Sequence, residues 1–130
     1  MKFKRFWPTV TRHRSGLVHI FDPLYRLNFY AVAGTSHERF RAIMKAEIKH
    51  QFEPCTSQGH FYVIERGAKK KRQEIGVIWS NDDTFHLMHE CLHATFWAMR
   101  SRGMVLSFDS EEAFTYYQGW LHETCSGRPR

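Results

Sequence analysis

The chain has 130 residues, a formal charge of +6, 42% hydrophobic and 15% aromatic content, and three cysteines. That length fits one core, and 11 Phe, 5 Tyr and 4 Trp exclude a globally disordered chain. No run reaches the ~18–20 apolar residues of a membrane span, the basic start MKFKRFWPTV leads into no secretory apolar segment, and the cysteines lack framework spacing. The expectation is a single domain over 1–130 in a reducing compartment, with a basic arm at 1–14 and a flexible tail at 126–130.

Charge is unevenly distributed. Residues 1–80 carry 15 Lys/Arg against 6 Asp/Glu, a net of +9, whereas residues 81–125 carry 2 against 7, a net of −5. The stretch 1–14 reads as an arm lying on the domain or as a strand, with Pro8 against a central one. From Leu17 the pattern is extended, with a turn at Asp22-Pro23 and a second run from Tyr25 to Ala33. There Tyr25, Leu27, Phe29, Ala31 and Ala33 share one face, the period-2 signature of a half-buried strand. Gly34 breaks it, and Thr35-x-x-Glu38 reads as a capping box for a helix over about 36–50. Runs over about 60–66 and 74–79 flank the basic segment Gly67–Arg72 and read as a hairpin.

Ser80–Asp83 then caps a helix over about 82–101, which stops at Gly103 with cations in its last turn. Phe85, Met88, Leu92, Phe96 and Met99 recur at spacings of three and four, the stripe expected to face the core. Asp109-Ser110 opens a last helix over about 111–124. The fold class is α+β, a short antiparallel or mixed sheet (strands about 17–33, 60–66 and 74–79) with three helices.

The chemistry concentrates in the second helix, in His89-Glu90-Cys91-Leu92-His93. Positions i and i+4 lie one turn apart on one helical face, so His89 and His93 can bind one Zn²⁺, and Glu90 can act as general base on a water. A catalytic zinc usually takes a third protein ligand. Glu112 is the candidate, 18 residues intervening after His93, chosen over Glu111 because it shares a helical face with Tyr116 and Gly119. His86 stands one turn before the motif and reads as a solvated or capping residue. Cys91 points away from the metal face as a small buried hydrophobe. Cys55, Cys125 and the scattered His13, His19, His37, His50 and His60 show no metal spacing.

The motif with its downstream helical glutamate resembles the gluzincin metallopeptidases. More closely, His89–Trp97 with Ser110–Leu121 is similar to small bacteriophage-encoded zinc metallopeptidases, with a weaker likeness at Phe21–Leu27. The resemblance implies a zincin-like domain in the host cytoplasm, with Glu90 as base, zinc on His89, His93 and Glu112, and a peptide or protein substrate. It also implies an edge strand for substrate pairing before the metal helix, here Glu74–Trp79. Tyr116 is the candidate catalytic hydroxyl for the developing oxyanion, with Tyr117 and His122 as alternatives. From a different class, the residues also allow a zinc-stabilised, non-catalytic binding module. Its basic face would engage a host protein or nucleic acid, with weak polyanion contact through Lys69, Lys70, Lys71 and Arg72.

Overall fold

The structure is a computed structural model that describes residues 7–68 and 71–127. Its strands are β1 (Thr9–Arg12), β2 (Val18–Asp22), β3 (Leu27–Val32), β4 (Gly59–Arg66) and β5 (Gln73–Ser80). Its helices are α1 (His37–Ile48), between β3 and β4, then α2 (Thr84–Ser101) and α3 (Glu111–Ser126). The five strands form one mixed sheet in the order β1-β2-β3-β5-β4, with β3 and β5 parallel and every other pair antiparallel. The α+β class expected from the sequence is observed.

Alternation along the strands divides the interior in two. Val18, Ile20, Leu27, Phe29, Ala31 and Ile78 face α2 and α3. Leu17, Val32, Ile64, Ile75, Val77 and Trp79 face α1, meeting Phe40, Ile43, Met44 and Ile48. Strand β5 is covered on both faces, which is why its sequence is a continuous apolar run ending in a buried serine.

Four details sharpen or correct the sequence reading. The expected arm contains a strand, because Thr9–Arg12 pairs with β2 at the sheet edge; the rest of the arm, residues 1–6, lies outside the described residues. At the other end, Ser126 still belongs to α3, and Gly127 closes it with φ 72°. The cap of α1 is Ser36, whose side chain accepts from the Arg39 N–H at 3.1 Å, not Thr35. Thr35 is engaged elsewhere: its N–H donates to the Ser80 carbonyl and its own carbonyl accepts from the Trp79 indole.

The fourth correction concerns α2. Phe85, Met88 and Leu92 are exposed at 63%, 46% and 44%, so most of the expected core stripe faces outward. The buried face is instead Leu87, Cys91, Ala94, Thr95, Ala98 and Met99. Small residues let the helix approach the sheet closely, a signal that a search for large apolar side chains overlooks. Val105, Leu106 and Phe108 of the α2–α3 connection are exposed as well.

Helix α3 packs antiparallel to α2 over β2 and β3, with Phe96 against Phe114 and Tyr117 against Phe29. The buried Tyr117 hydroxyl donates to Asp22 Oδ2 at 2.9 Å, while Asp22 Oδ1 accepts from the N–H groups of Leu24 and Tyr25. Burial and the facing carboxylate push the Tyr117 phenol well above its ordinary value, so it remains a donor. Removing the hydroxyl leaves one oxygen of a 5%-exposed aspartate unpaired. Tyr117→Phe is therefore expected to lower unfolding free energy by about 1–3 kcal/mol in chemical denaturation. An unchanged midpoint would show that this hydrogen bond is not what anchors α3.

Candidate active site

The site lies between α2 and the β4 edge. His89 and His93 project from the outer side of α2, both exposed, with their Nε2 atoms 3.1 Å apart and their rings inclined at 75°. One imidazole donates to the other. Two Zn–N bonds of about 2.0–2.1 Å at a tetrahedral angle would separate the nitrogens by roughly 3.3 Å. The separation is thus close to the one a shared metal would need, and the rings would turn from facing each other to facing it.

Glu90 occupies the adjoining position on the helix but is only 8% exposed. Its burial depends on a glycine. A Cβ built on Gly59, the first residue of β4, would sit 3.0 Å from Glu90 Cγ and 3.1 Å from Oε2. The missing side chain is the space the carboxylate occupies. Glu90 thus lies at the base of the cleft beside two outward imidazoles, and its charge raises the pKa of Tyr62 and Cys91 as a lesser contribution in each.

Beyond the histidines the groove continues along α2 to a total volume of about 730 Å³. One wall is aromatic: Phe61 of β4 meets Trp97 at 5.7 Å, and Trp97 packs edge-on against Phe29 at 5.6 Å. Trp97 is seated by a second glycine, since a Cβ on Gly76 would lie 3.0 Å from Trp97 Cζ3, 3.0 Å from Phe61 Cε1 and 2.9 Å from Phe29 Cδ1. Phe96, Glu74, Arg100 and Ser101 complete the far end.

The structure brings His89, Glu90 and His93 together and leaves other candidates apart. Glu111, Glu112 and Tyr116 are exposed on the first turns of α3, Tyr116 at 74%, and none of the three lines the cleft. Among the described residues no group of three His, Cys, Asp or Glu side chains is arranged to hold a metal. Tyr117 is committed to Asp22, and the Nε2 of His122 is buried without a partner. His86 remains in the cap region, 3.0 Å from Asn81 Oδ1. Cys91 is fully buried and reduced, its pKa raised by a hydrogen bond to Cys125 and then by burial, so it presents no thiolate beside the histidines.

The strand expected to pair with substrate also changes. Glu74–Trp79 lies within β5, which is hydrogen-bonded to β3 on one side and β4 on the other. The free edge beside the histidines belongs to β4, Gly59–Arg66. His60 of that edge touches the cleft, but its ring packs tilted against Tyr62, with centroids 4.2 Å apart. In the basic hairpin, Lys69 and Lys70 lie outside the described residues, Lys71 is exposed, and Arg72 is paired with Glu65 at 3.2 Å.

The aromatic wall and Arg100 went unread in the sequence. Trp97 and Arg100 follow His93 at i+4 and i+7, the same helical face, so extending the motif's face by two turns finds them. Phe61 and Glu74 are legible only from the β4–β5 register, where Glu74 stands opposite Glu65.

No family model matches the chain, and comparison with curated proteins and with solved structures finds no match either.

The seating of Trp97 generates a direct test. Gly76→Ala places a methyl group among three rings and is expected to destabilise the fold by about 1–3 kcal/mol, read from the denaturation midpoint. Gly103→Ala, where a Cβ meets nothing within 4 Å but φ is +76°, separates overpacking from backbone strain. Equal stability of Gly76→Ala and the native protein would contradict the close approach.

Proposed function

We propose that the protein is a zinc-dependent hydrolase, most simply a metallopeptidase, whose reactive groups are His89, His93 and Glu90. The observation that carries this reading is the pairing of two Nε2 atoms at 3.1 Å with a buried carboxylate on the next helical position, beside an open strand edge. His89 and His93 would hold the metal. Glu112, with Glu111 as alternative, is proposed as the third ligand, recruited from the exposed first turn of α3. Ser110 makes no side-chain cap bond to that turn; its hydroxyl instead accepts from the Ser107 N–H and donates to the Val105 carbonyl.

Zinc bound there supplies Lewis acidity, polarising a carbonyl oxygen and lowering the pKa of water towards ~7. The protein's own part is proton handling and positioning. Glu90 takes a proton from the attacking water and returns it to the leaving amine. Its confinement against Gly59 holds the carboxylate in one orientation during both transfers. Among the described residues the outer edge of β4 has no strand partner, so it offers an extended chain a ladder of hydrogen bonds along the groove, which would fix the scissile bond by its backbone.

The reading predicts two distinct losses. Glu90→Gln is expected to retain zinc but to lose hydrolysis of an unstructured protein by at least about 100-fold, the usual scale for a general base. Gly59→Ala, which forces the carboxylate to shift by a few tenths of an ångström, should retain zinc and lower turnover more than substrate affinity. Hydrolysis undiminished in Glu90→Gln would overturn the assignment.

A further inference from the structure

The far end of the groove carries groups that the proton chemistry does not use. We propose that it is a recognition subsite for a peptide carrying a bulky apolar side chain and, next along the chain, an anionic group. The apolar side chain rests against Phe61 and Trp97, and the anion pairs with Arg100. This subsite rests on the hydrolase reading for the direction in which a chain occupies the groove.

Of the arginines without a side-chain partner among the described residues (Arg14, Arg26, Arg39 and Arg100), Arg100 is the one that lines the cleft. Arg12 donates to the Thr124 carbonyl, Arg41 to Phe52, and Arg102 to Tyr25 and Arg26, each tying two elements together. Arg72 pairs with Glu65. Arg100 lies in the last turn of α2, exposed and at the cleft, and among the described residues its side chain has no hydrogen bond or ion pair. An unpaired guanidinium at the end of an aromatic trough presents a fork suited to a carboxylate, while its stem and the ring faces offer apolar contact.

Spacing supports the order of the two features. Along α2, Trp97 follows His93 by about 6 Å and Arg100 by about 10.5 Å, at 1.5 Å per residue. An extended chain advances about 3.3 Å per residue, so the apolar position falls about two residues, and the anionic position about three, beyond the residue level with His93. Glu74 lies on the opposite wall and sets the discrimination: it repels the same anion unless Arg100 is present to outweigh it. The subsite selects by charge because these two residues oppose each other.

The test separates binding from hydrolysis. Zinc-loaded Glu90→Gln protein is titrated with dansyl-labelled, amidated hexapeptides of alanine containing one Phe followed by Asp or by Lys, in both chain orders, and followed by anisotropy. A further peptide carries its only carboxylate at the C-terminus and distinguishes a terminal anion from a side-chain one. The Asp peptides are expected to bind about tenfold more tightly than the Lys peptides, with Arg100→Glu reversing the preference and Glu74→Gln widening it. Trp97→Ala should remove the advantage of Phe over Ala. Equal binding of Asp and Lys peptides, or a preference unmoved by Arg100→Glu, overturns the subsite. If native protein cleaves these peptides without charge preference, the hydrolase reading stands and the subsite falls. If the Arg100-dependent preference holds while native protein cleaves none of them, the subsite stands and the hydrolase reading falls.

Discussion

The close approach of α2 to the β4–β5 ribbon is the constraint on which the site depends. Two glycines on the α2-facing side of that ribbon make it possible: Gly59 admits the Glu90 carboxylate and Gly76 admits the Trp97 ring. On the helix side the same approach requires Ala94, Ala98 and Cys91 rather than larger groups. Together these small residues lower the helix until its charged residue is buried at the base of a groove. A side chain at Gly59 displaces the Glu90 carboxylate, and one at Gly76 crowds Trp97, Phe61 and Phe29.

Burying an acid this way has a chemical consequence. A carboxylate nearly withdrawn from water shares the helix segment and the cleft with two exposed imidazoles. The arrangement is thus asymmetric, with the histidines open to solvent and the base recessed. Cys91, next in sequence, is kept as an inert thiol by Cys125 and by burial, which removes a competing nucleophile from the same turn. The oxygen and nitrogen donors of the motif are left as the groups that the proposed hydrolysis would use.

Much of the framework was legible in the sequence because it depends on local rules. The period-2 face of Leu27, Phe29 and Ala31, the Asp83 cap of α2 and the stop at Gly103 each follow from residues within a few positions. The site was legible only in its helical half, where His89, Glu90 and His93 share consecutive turns. The other half depends on contacts between distant residues. Strand order moved the free edge from β5 to β4, and pairing register brought Phe61 and Glu74 into the groove. The α2 stripe misled because periodicity reports that a helix is amphipathic but not which apolar face is covered. Phe85, Met88 and Leu92 repeat correctly and still face solvent, while small residues line the true interface. Glu112 shares a face with Tyr116 as the helical arithmetic required, yet that face of α3 is the exposed one.

The central claim is that His89 and His93 form one half of a zinc site that α3 completes. Equilibrium dialysis of the purified chain against buffered zinc, with metal counted by atomic emission, tests it most directly. The account predicts about one zinc per chain, loss of binding in His89→Ala and His93→Ala, and a weakening of about 10–100-fold in Glu112→Gln or, failing that, in Glu111→Gln. Zinc binding that is absent from the native chain, or unchanged when both histidines are replaced, would contradict it.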